Sequence, residues 1–414
     1  MSLRPSVLFV LLGVLPIAST EAAAQTVTER GFADAALYVF PQDAPNDPVN
    51  VVGDALVREE VFVKPAAWIQ FAAGLDVRAN THDQVEDEWR IDFTDRGVKR
   101  PRLSIRRASA TLTRGPLTVD IGKQFIRWGK TDIVTPTDRF APRDFLNVVD
   151  SEFLGVTGVR VAVQAASNTF DVAWVPFFTP SRVPLLNQRW TAVPEAAADI
   201  PLVDDTAQLP ERSQVGVRWS HVATAFEYAL SFFDGLNNLP NIDAAVQTVP
   251  PAVLVTRIYP RIRTYGADVA VPTRWFTLKG EAAYFTSSSP RTDEYVLYVA
   301  QIERQSGEWV IVGGYAGETV TARRATLTFA PDRGMTRSIV GRASYTIDPI
   351  RSVAFETAVR QTGDGFYAKA EYSQARGQHW RATVMGVVIG GQPDDFLGQY
   401  SHNSHVEATL RYSF

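Results

Sequence analysis

Long runs of alternating apolar and polar residues dominate the chain. The clearest run ends it, where the apolar residues Val406, Leu410 and Phe414 share one face and the charged residues Glu407 and Arg411 share the other. Similar runs start near Phe226, Phe276, Val353, Phe366 and Trp380. A period of two residues is typical of a β-strand whose two faces meet different surroundings.

The lengths of these runs favour a membrane barrel over a soluble sheet. Each run has about 9–12 residues, whereas soluble strands typically have about 5–6 and tilted transmembrane strands about 9–11. Full charges stand on one face and are almost absent from the other, as expected when one face meets lipid and the other a wet lumen. We therefore predict an all-β fold, a transmembrane antiparallel up-and-down barrel with an in-folded loop that partly fills its lumen.

The connections between runs alternate in length, as the periplasmic turns and outer loops of bacterial barrels do. Tight connections are expected at 114–116, 166–168, 221–224 and 271–273, and long loops at about 80–100, 129–152, 179–210 and 234–256. About 19 runs can be counted, but a single-chain bacterial barrel should have an even number of strands. The run from Phe32 to Phe40 and the stretch 293–335 are the least regular, so we predict 16–18 strands.

The N-terminus has the features of a cleaved export signal. Arg4 is followed by an apolar run from Val7 to Ile17, and Ala22-Ala23-Ala24 forms a small-residue cleavage site before Gln25. The remaining chain has no stretch of about 18 uncharged apolar residues that could span a membrane as a helix. We expect a signal peptide at 1–24, a single barrel domain at 25–414, and a Gram-negative outer-membrane location.

Composition narrows the chemistry. The 414 residues include five His and no Cys, and the net charge is -4. The absence of Cys excludes disulfides and thiolate metal sites. The negative net charge gives no basic excess for nucleic-acid binding. The histidines lack zinc-site spacing and no Gly-rich phosphate loop is present. No metal, cofactor or nucleic-acid partner is predicted.

The last strand carries a candidate insertion signal. Leu410, Tyr412 and Phe414 lie on one face, and Phe414 is the final residue. This end is similar to the C-terminal signal that outer-membrane barrels present to the barrel-insertion machinery. That machinery, outer-membrane lipids and lipopolysaccharide are the expected partners.

An internal segment resembles a known family. The stretch Gly122-Lys-Gln-Phe-Ile-Arg-Trp-Gly, followed by Pro136-Thr-Asp and Pro142-Arg-Asp, is similar to an uncharacterised family of bacterial outer-membrane barrels often encoded beside RND-type exporters. The similarity covers roughly residues 117–186, with Thr135 and Ala141 where that family usually has Asn. It implies traffic in hydrophobic or lipid-like compounds and coupling to an RND-type exporter. Porins and alginate-export-like barrels are more distantly similar.

The segment after Phe125 is a candidate constriction loop. Two Pro-x-Asp units can cap short turns and restrict the chain. We hypothesise that the loop folds into the lumen and that its charges pair with the wall or form a selectivity ring; a solvated rim loop is the alternative. The residues concerned are Arg127, Trp128, Lys130, Asp132, Asp138, Arg139, Arg143 and Asp144.

With the apolar faces outward, charges of both signs should line the lumen. They would form either a salt-bridged wall or a selectivity lining. A change of phase among Arg102, Arg106 and Arg107 indicates either a bulge or a strand that ends there, and Lys123 falls on the outward face unless the phase there is off by one. The predicted lining is Asp120, Asp171, Arg218, Glu227, Lys279, Glu281, Arg342, Glu356, Arg360, Lys369, Glu371, Arg381, Glu407 and Arg411.

An enzymatic role is a minor alternative. His402 and Ser404 have the spacing used by outer-membrane lipid hydrolases, with Glu407 nearby. The continuation that those hydrolases show after the Ser is missing, so no enzyme is predicted.

Taken together, these patterns predict an outer-membrane channel or conduit, with a hydrophobic or lipid-like substrate expected from the resemblance. A general or solute-selective diffusion porin is the alternative within transport. A lipid hydrolase and a structural or adhesive barrel are alternatives from other classes.

Overall fold

The computed structural model describes residues 26–193, 200–206, 209–324 and 329–414. The predicted signal peptide at 1–24 lies outside these residues. No helix in the described part of the chain is long and apolar enough to cross a membrane. The helices described there are two short 3₁₀ turns, Pro331–Arg333 and Gly398–Asn403.

One closed antiparallel sheet forms the body of the molecule. Nineteen strands pair in it. One of them is the two-residue segment Ile91–Asp92, which pairs in parallel with its neighbour, and the other eighteen form the barrel. In chain order these are β1 (Thr26–Val39), β2 (Val51–Ala66), β3 (Ile69–Asn80), β4 (Leu103–Arg114), β5 (Leu117–Gln124), β6 (Val156–Ala165), β7 (Asn168–Val175), β8 (Gln214–Val222), β9 (Glu227–Leu236), β10 (Arg261–Pro272), β11 (Thr277–Thr286), β12 (Glu294–Ser306), β13 (Trp309–Ala322), β14 (Ser338–Asp348), β15 (Arg351–Arg360), β16 (Phe366–Arg376), β17 (Trp380–Gly390) and β18 (His405–Ser413).

The first and last strands close the barrel. β1 pairs with β18 in a register that runs from Phe32 opposite Ser413 to Val39 opposite Val406. Two backbone hydrogen bonds between Gly31 and Phe414, at 3.1 and 3.0 Å, extend this seam. Closure satisfies the backbone groups that an open sheet edge would leave unpaired in lipid. The prediction of 16–18 strands is confirmed at its upper limit.

Alternation places apolar side chains on the outside. On β17 and β18 the outward residues Val384, Val388, Val406 and Leu410 are exposed. The buried hydrophobic clusters instead lie inside, where loops pack against the wall, and one of them contains Trp128, Phe140 and Phe233. This inversion of the usual soluble arrangement is typical of a barrel that faces lipid.

Short turns and longer loops alternate around the whole ring. The turn between β4 and β5 contains Gly115 and the turn between β12 and β13 contains Gly307, at φ values of +56° and +57° that favour glycine. The two regions judged least regular from the sequence are real strands. Thr26–Val39 closes the barrel, and the stretch 293–335 contains β12 and β13 joined by a tight turn.

Two local irregularities explain the change of phase seen in the sequence. The pairing of β3 with β4 shifts register at Gly74 and Leu75, which leaves Arg106 as the extra residue of a bulge. In β5, Gly122 has a φ of +114°, and the next side chain, Lys123, is buried with its Nζ 2.6 Å from Asp95. Lys123 therefore lies inside, and the outward placement is wrong because the strand changes phase at Gly122.

The outer loops carry small sheets of their own. Leu202–Asp204, Asn241–Thr248 and Pro251–Ile258 form a three-stranded sheet. Arg143–Asp144 pairs with Glu152–Phe153 inside the loop that joins β5 to β6.

Candidate functional site

The loop between β5 and β6, residues 125–155, is called the inner loop here. Its first half is bonded to one side of the wall through Glu281 of β11, which is 3% exposed. The backbone N–H groups of Lys130 and Thr131 donate to Glu281 Oε2 at 2.8 and 3.0 Å, and that of Thr137 donates to Oε1 at 2.8 Å. A charged acceptor of several N–H groups holds a loop firmly.

Asp132 adds a second anchor on the same side. Its backbone N–H donates to Gln301 Oε1 at 2.8 Å, and its carboxylate accepts a hydrogen bond from Lys279 Nζ at 2.9 Å. Burial opposes ionisation of this carboxyl, but the bonds from Lys279 and Gln301 outweigh it and hold the pKa of Asp132 below its usual range. Lys130 also pairs with Glu227 of β9.

The inner loop is braced internally. Asp138 Oδ1 accepts hydrogen bonds from the backbone N–H groups of Trp128 and of Gly129, the latter at 2.6 Å. Trp128 packs edge-on against Phe140, with ring centroids 5.2 Å apart, and Phe140 packs against Phe233 of β9 at 5.0 Å. These contacts give the first half of the loop one defined shape.

The second half reaches the opposite wall. Glu152 Oε2 lies 2.6 Å from the Arg78 guanidinium of β3 and 3.0 Å from that of Arg58 on β2. In a ring of eighteen strands, β2 and β11 are nine positions apart, so the inner loop crosses the full width of the lumen. Burial opposes ionisation of Glu152, but Arg78, Arg58 and Arg106 outweigh it and lower its pKa to about 2.

Asp144 is the hub of a buried ion network beside this crossing. Its carboxylate lies 3.0 Å from Arg100 and 3.2 Å from Arg182, and Arg182 also binds Asp95 at 2.8 Å. Burial disfavours the charged carboxylate, yet Arg100 and Arg182 hold the pKa of Asp144 well below its usual range. The network ties three loops together, because Arg100 and Asp95 precede β4 and Arg182 follows β7.

The loop between β7 and β8, residues 176–213, is called the second loop, and residues 189–190 of it also enter the lumen. The backbone N–H of Arg189 donates to Asp47 Oδ2 at 3.0 Å, and the Arg189 carbonyl accepts from Asn403 Nδ2 at 2.8 Å. Trp190 packs against Tyr400 and His405. These contacts place residues 189–190 against the seam between β1 and β18.

A cavity of about 360 Å³ remains between the two loops and the wall formed by β1–β3, β17 and β18. Its lining is rich in charge of both signs. Asp34 and Arg411 form a bidentate pair across the seam, at 2.7 and 2.6 Å. The other charged residues that line it are Asp54, Arg78, Arg100, Asp150, Glu152, Arg189, Arg381 and Glu407.

The predicted lining residues fall into three groups in the structure: those that contact the inner loop, those that line the cavity and those on the rest of the barrel wall. Glu227, Lys279, Glu281 and Arg218 contact the inner loop, whereas Arg381, Glu407 and Arg411 line the cavity. The rest lie on the wall, where Asp120 and Asp171 pair with Arg160, Arg360 with Asp395 and Lys369 with Glu356. Arg342 is opposite Glu356 in the strand register, and Glu371 is opposite Met385.

The predicted loop residues are all held by contacts of the kind expected for an in-folded loop. Arg139 pairs with Asp332 at 3.3 Å. Arg127 and Arg143 lie over the ring of Phe153, at 4.1 and 4.0 Å from its centroid. A selectivity role for these side chains stays a prediction.

Sequence reasoning missed the arginine-rich side of the lumen. Arg58, Arg78, Glu152 and Arg189 take part in the contacts above, but no lining role was assigned to them. A signal was present for two of them, because Arg58 and Arg78 stand among apolar residues in β2 and β3, on the face opposite the lipid. Glu152 and Arg189 lie on loops, where alternation gives no direction.

The candidate hydrolase pair and the C-terminal residues have other surroundings. Ser404 Oγ accepts a hydrogen bond from the Ile389 N–H at 3.0 Å, and His402 Nδ1 lies 3.0 Å from the Asp43 carbonyl oxygen. The side chains are thus engaged with backbone rather than with each other. Leu410, Tyr412 and Phe414 are exposed on the outer face of β18, and their use as an insertion signal stays a prediction.

Solved structures of outer-membrane channels share this architecture. The chain is similar to a BenF-like porin from Pseudomonas fluorescens (TM-score 0.56, 9% identity, covering 94% of this chain and 98% of that one). OccAB4 from Acinetobacter baumannii gives a TM-score of 0.54 at 10% identity, with 93% and 97% covered. OpdK from Pseudomonas aeruginosa gives 0.54 at 8%, with 94% and 98% covered.

This chain has the porin fold. No protein-family model matches it, and no curated protein matches it. The comparisons therefore support the porin architecture and not the particular uncharacterised family that residues 117–186 resemble.

Proposed function

We propose that this protein is a solute-selective diffusion channel of the bacterial outer membrane. The observation that carries the proposal is that the inner loop crosses the lumen. It is bonded to β11 on one wall and to β2 and β3 on the opposite wall. Together with the second loop it narrows the lumen of an eighteen-stranded barrel to a charged cavity of about 360 Å³. A narrow, charge-lined passage discriminates among small polar solutes by size and charge.

The charge of the lining bears on the substrate. An apolar solute in the cavity would displace water from Asp34, Arg78, Arg381 and Glu407 without replacing its hydrogen bonds. This disfavours the hydrophobic or lipid-like substrate that the resemblance implies and favours a small polar or charged solute. Coupling to an RND-type exporter has no support in the geometry and stays a prediction, as do the expected contacts with lipopolysaccharide and the insertion machinery.

The test is planar-bilayer conductance of the refolded mature protein, with and without residues 130–146. Stable unitary steps are expected from the intact chain, and larger steps from the deletion, because the first half of the inner loop then no longer occupies the lumen. Deletion of residues 245–252, at the tip of an outer hairpin, is the matched control and should leave conductance unchanged. If the folded intact barrel gives no unitary currents, the proposal of a channel is contradicted. If conductance is unchanged after deletion of 130–146, the hypothesis that the inner loop constricts the lumen is contradicted.

A further inference from the structure

Two carboxyl groups meet in the lumen cavity, and among the described residues no basic side chain forms an ion pair with either of them. Glu407 extends from β18 and Asp150 from the inner loop, and both line the cavity of about 360 Å³. The Asp150 carboxyl lies within hydrogen-bonding reach of Glu407. Since a carboxylate can only accept, a hydrogen bond between these two groups requires a proton on one of them.

One carboxylate oxygen of Glu407 has no hydrogen-bond donor among the described residues. The side chain is 4% exposed, and its Oε1 accepts a hydrogen bond from Thr409 Oγ1 at 2.7 Å. Its Oε2 is buried and receives no hydrogen bond from a donor in the described part of the chain. A buried carboxylate oxygen left without a donor is costly, so a proton or a positively charged ligand at this oxygen would be stabilising.

The other cavity carboxylates have arginine partners. Asp34 lies 2.6 Å from Arg411, and Glu152 lies 2.6 Å from Arg78. Among the ion pairs of the described residues, none includes Asp150 or Glu407. Among the described residues, the negative charge of the cavity that lacks an ion pair is therefore concentrated on this one pair.

Among the described residues, Arg381 of β17 also lines the cavity and donates to Ser373 Oγ at 3.2 Å without forming an ion pair, whereas the other nearby positive groups are engaged with carboxylates. Lys369 of β16 lies 3.5 Å from Glu356, Arg100 lies 3.0 Å from Asp144, and Arg189 lies 3.8 Å from Asp47. The remaining titratable groups that face the pair, on β1, β2, β16 and β18, are Tyr38, Asp54, Tyr367 and His405. Among the described residues, no basic side chain therefore balances the pair itself.

We propose that Asp150 and Glu407 form a subsite for one monovalent cation, which enters as the shared proton leaves to water. The proposal rests on the channel function above and adds the charge class that the passage recognises. The proton comes from the carboxylic acid of the pair and leaves to water, and the entering cation replaces its positive charge, so the net charge of the site is unchanged by the exchange. Tyr38 and Trp190 also line the cavity, and aromatic rings favour an organic ammonium group over an inorganic ion.

The experiment compares ion selectivity of the refolded full-length mature protein across pH. Reversal potentials are measured in salt gradients of KCl and of methylammonium chloride for the native chain, Asp150→Asn and Glu407→Gln. The native channel should become more cation-selective as pH rises and the pair loses its proton. Both variants should lose this rise, whereas Asp394→Asn, which removes one exposed outer-loop charge, should retain it.

A second readout does not depend on conduction. Addition of methylammonium chloride to the folded native barrel in detergent should release protons, measured with a pH electrode in unbuffered solution, and Asp150→Asn should release fewer. A stronger effect of methylammonium than of KCl identifies an ammonium subsite, and equal effects identify a general monovalent subsite. Conducting variants that keep the native pH profile, or equal proton release from Asp150→Asn, would overturn the proposal. If the native chain releases protons as expected but does not conduct, the channel function is contradicted, whereas the cation subsite is supported.

Discussion

At the scale of single residues, a few positions hold most of the inner loop. Glu281 accepts backbone N–H bonds from Lys130, Thr131 and Thr137 and also the hydroxyl protons of Thr131 and Thr137. One carboxylate therefore organises eight residues of loop. Gly122 plays a comparable part for the strand, since its backbone conformation turns Lys123 inward to Asp95.

Replacing Glu281 should release the first half of the inner loop. Glu281→Ala leaves three buried N–H groups without an acceptor, each costing about 1–3 kcal/mol. We expect noisier and larger unitary currents in planar bilayers and faster proteolysis within 130–138. Glu308→Gln, in an exposed tight turn, is the control, and native currents from Glu281→Ala would show that other contacts hold the loop.

Gly122 should tolerate no side chain. A Cβ there would lie 2.2 Å from the Ala108 carbonyl oxygen at a φ of +114°, so Gly122→Ala should lower the free energy of unfolding by about 1–3 kcal/mol. The measurement is urea unfolding followed by gel mobility. Gly313→Ala is the matched control, since a Cβ at Gly313 meets nothing within 4 Å; equal loss in both variants would contradict the argument.

At the scale of elements, the inner loop is fastened at its two ends by different means. The first half is held mainly by backbone donors on Glu281, whereas the second half is held by ion pairs of Asp144 and Glu152 with arginines. The tight turns and the bulge at Arg106, by contrast, depend on backbone geometry and should not respond to pH.

Acid should loosen the second half of the inner loop. Because the pKa of Glu152 falls from 4.5 to about 2 on folding, its contribution to stability is present above about pH 4.5 and is lost as pH falls towards 2. Current noise should rise over this interval. Glu152→Gln should show the acid behaviour already at pH 7, and an unchanged pH profile in that variant would assign the transition to another group.

At the scale of the whole molecule, closure between β1 and β18 converts a long sheet into a barrel. The seam is tied by backbone pairing, by the Asp34–Arg411 pair and by the exchange of hydrogen bonds between Gly31 and Phe414. A second consequence of closure is geometric. Only a ring places β2 and β11 face to face across the lumen, where one loop can bridge them.

The seam can be tested with cysteines, since the chain has none. Ala35 is opposite Leu410, which is opposite Ala382 on the next strand. Oxidation should cross-link Ala35→Cys with Leu410→Cys and alter the mobility of the unfolded chain. Ala35→Cys with Ala382→Cys should not link, because two strand spacings of about 4.8 Å exceed the reach of a disulfide; the reverse result would contradict the register.

Much of the barrel followed from alternation, because the two faces of a membrane strand meet solvents of opposite polarity and each residue must suit one of them. The strand class, the approximate number of strands, the long loops and the inward placement of Glu281, Lys279 and Glu407 are all consequences of that period. The bulge at Arg106 was also visible as a change of phase. Lys123 was misplaced because the phase changes again at Gly122, and a single glycine in a strand leaves no periodic trace.

What only the tertiary structure decided are the partners across the lumen. A loop has no periodic pattern, so the local sequence does not indicate that Glu152 pairs with Arg58 and Arg78. Nor does it indicate that Asp150 meets Glu407, which is more than two hundred residues further along the chain. Those pairs depend on ring closure and on the path of the inner loop between opposite walls. By itself the sequence determined that the chain makes a barrel with a wet, charged interior, because burial of each strand face is a local matter. The size of the lumen cavity and the charge left unpaired within it are set by contacts between distant segments, which exist only once the ring is closed.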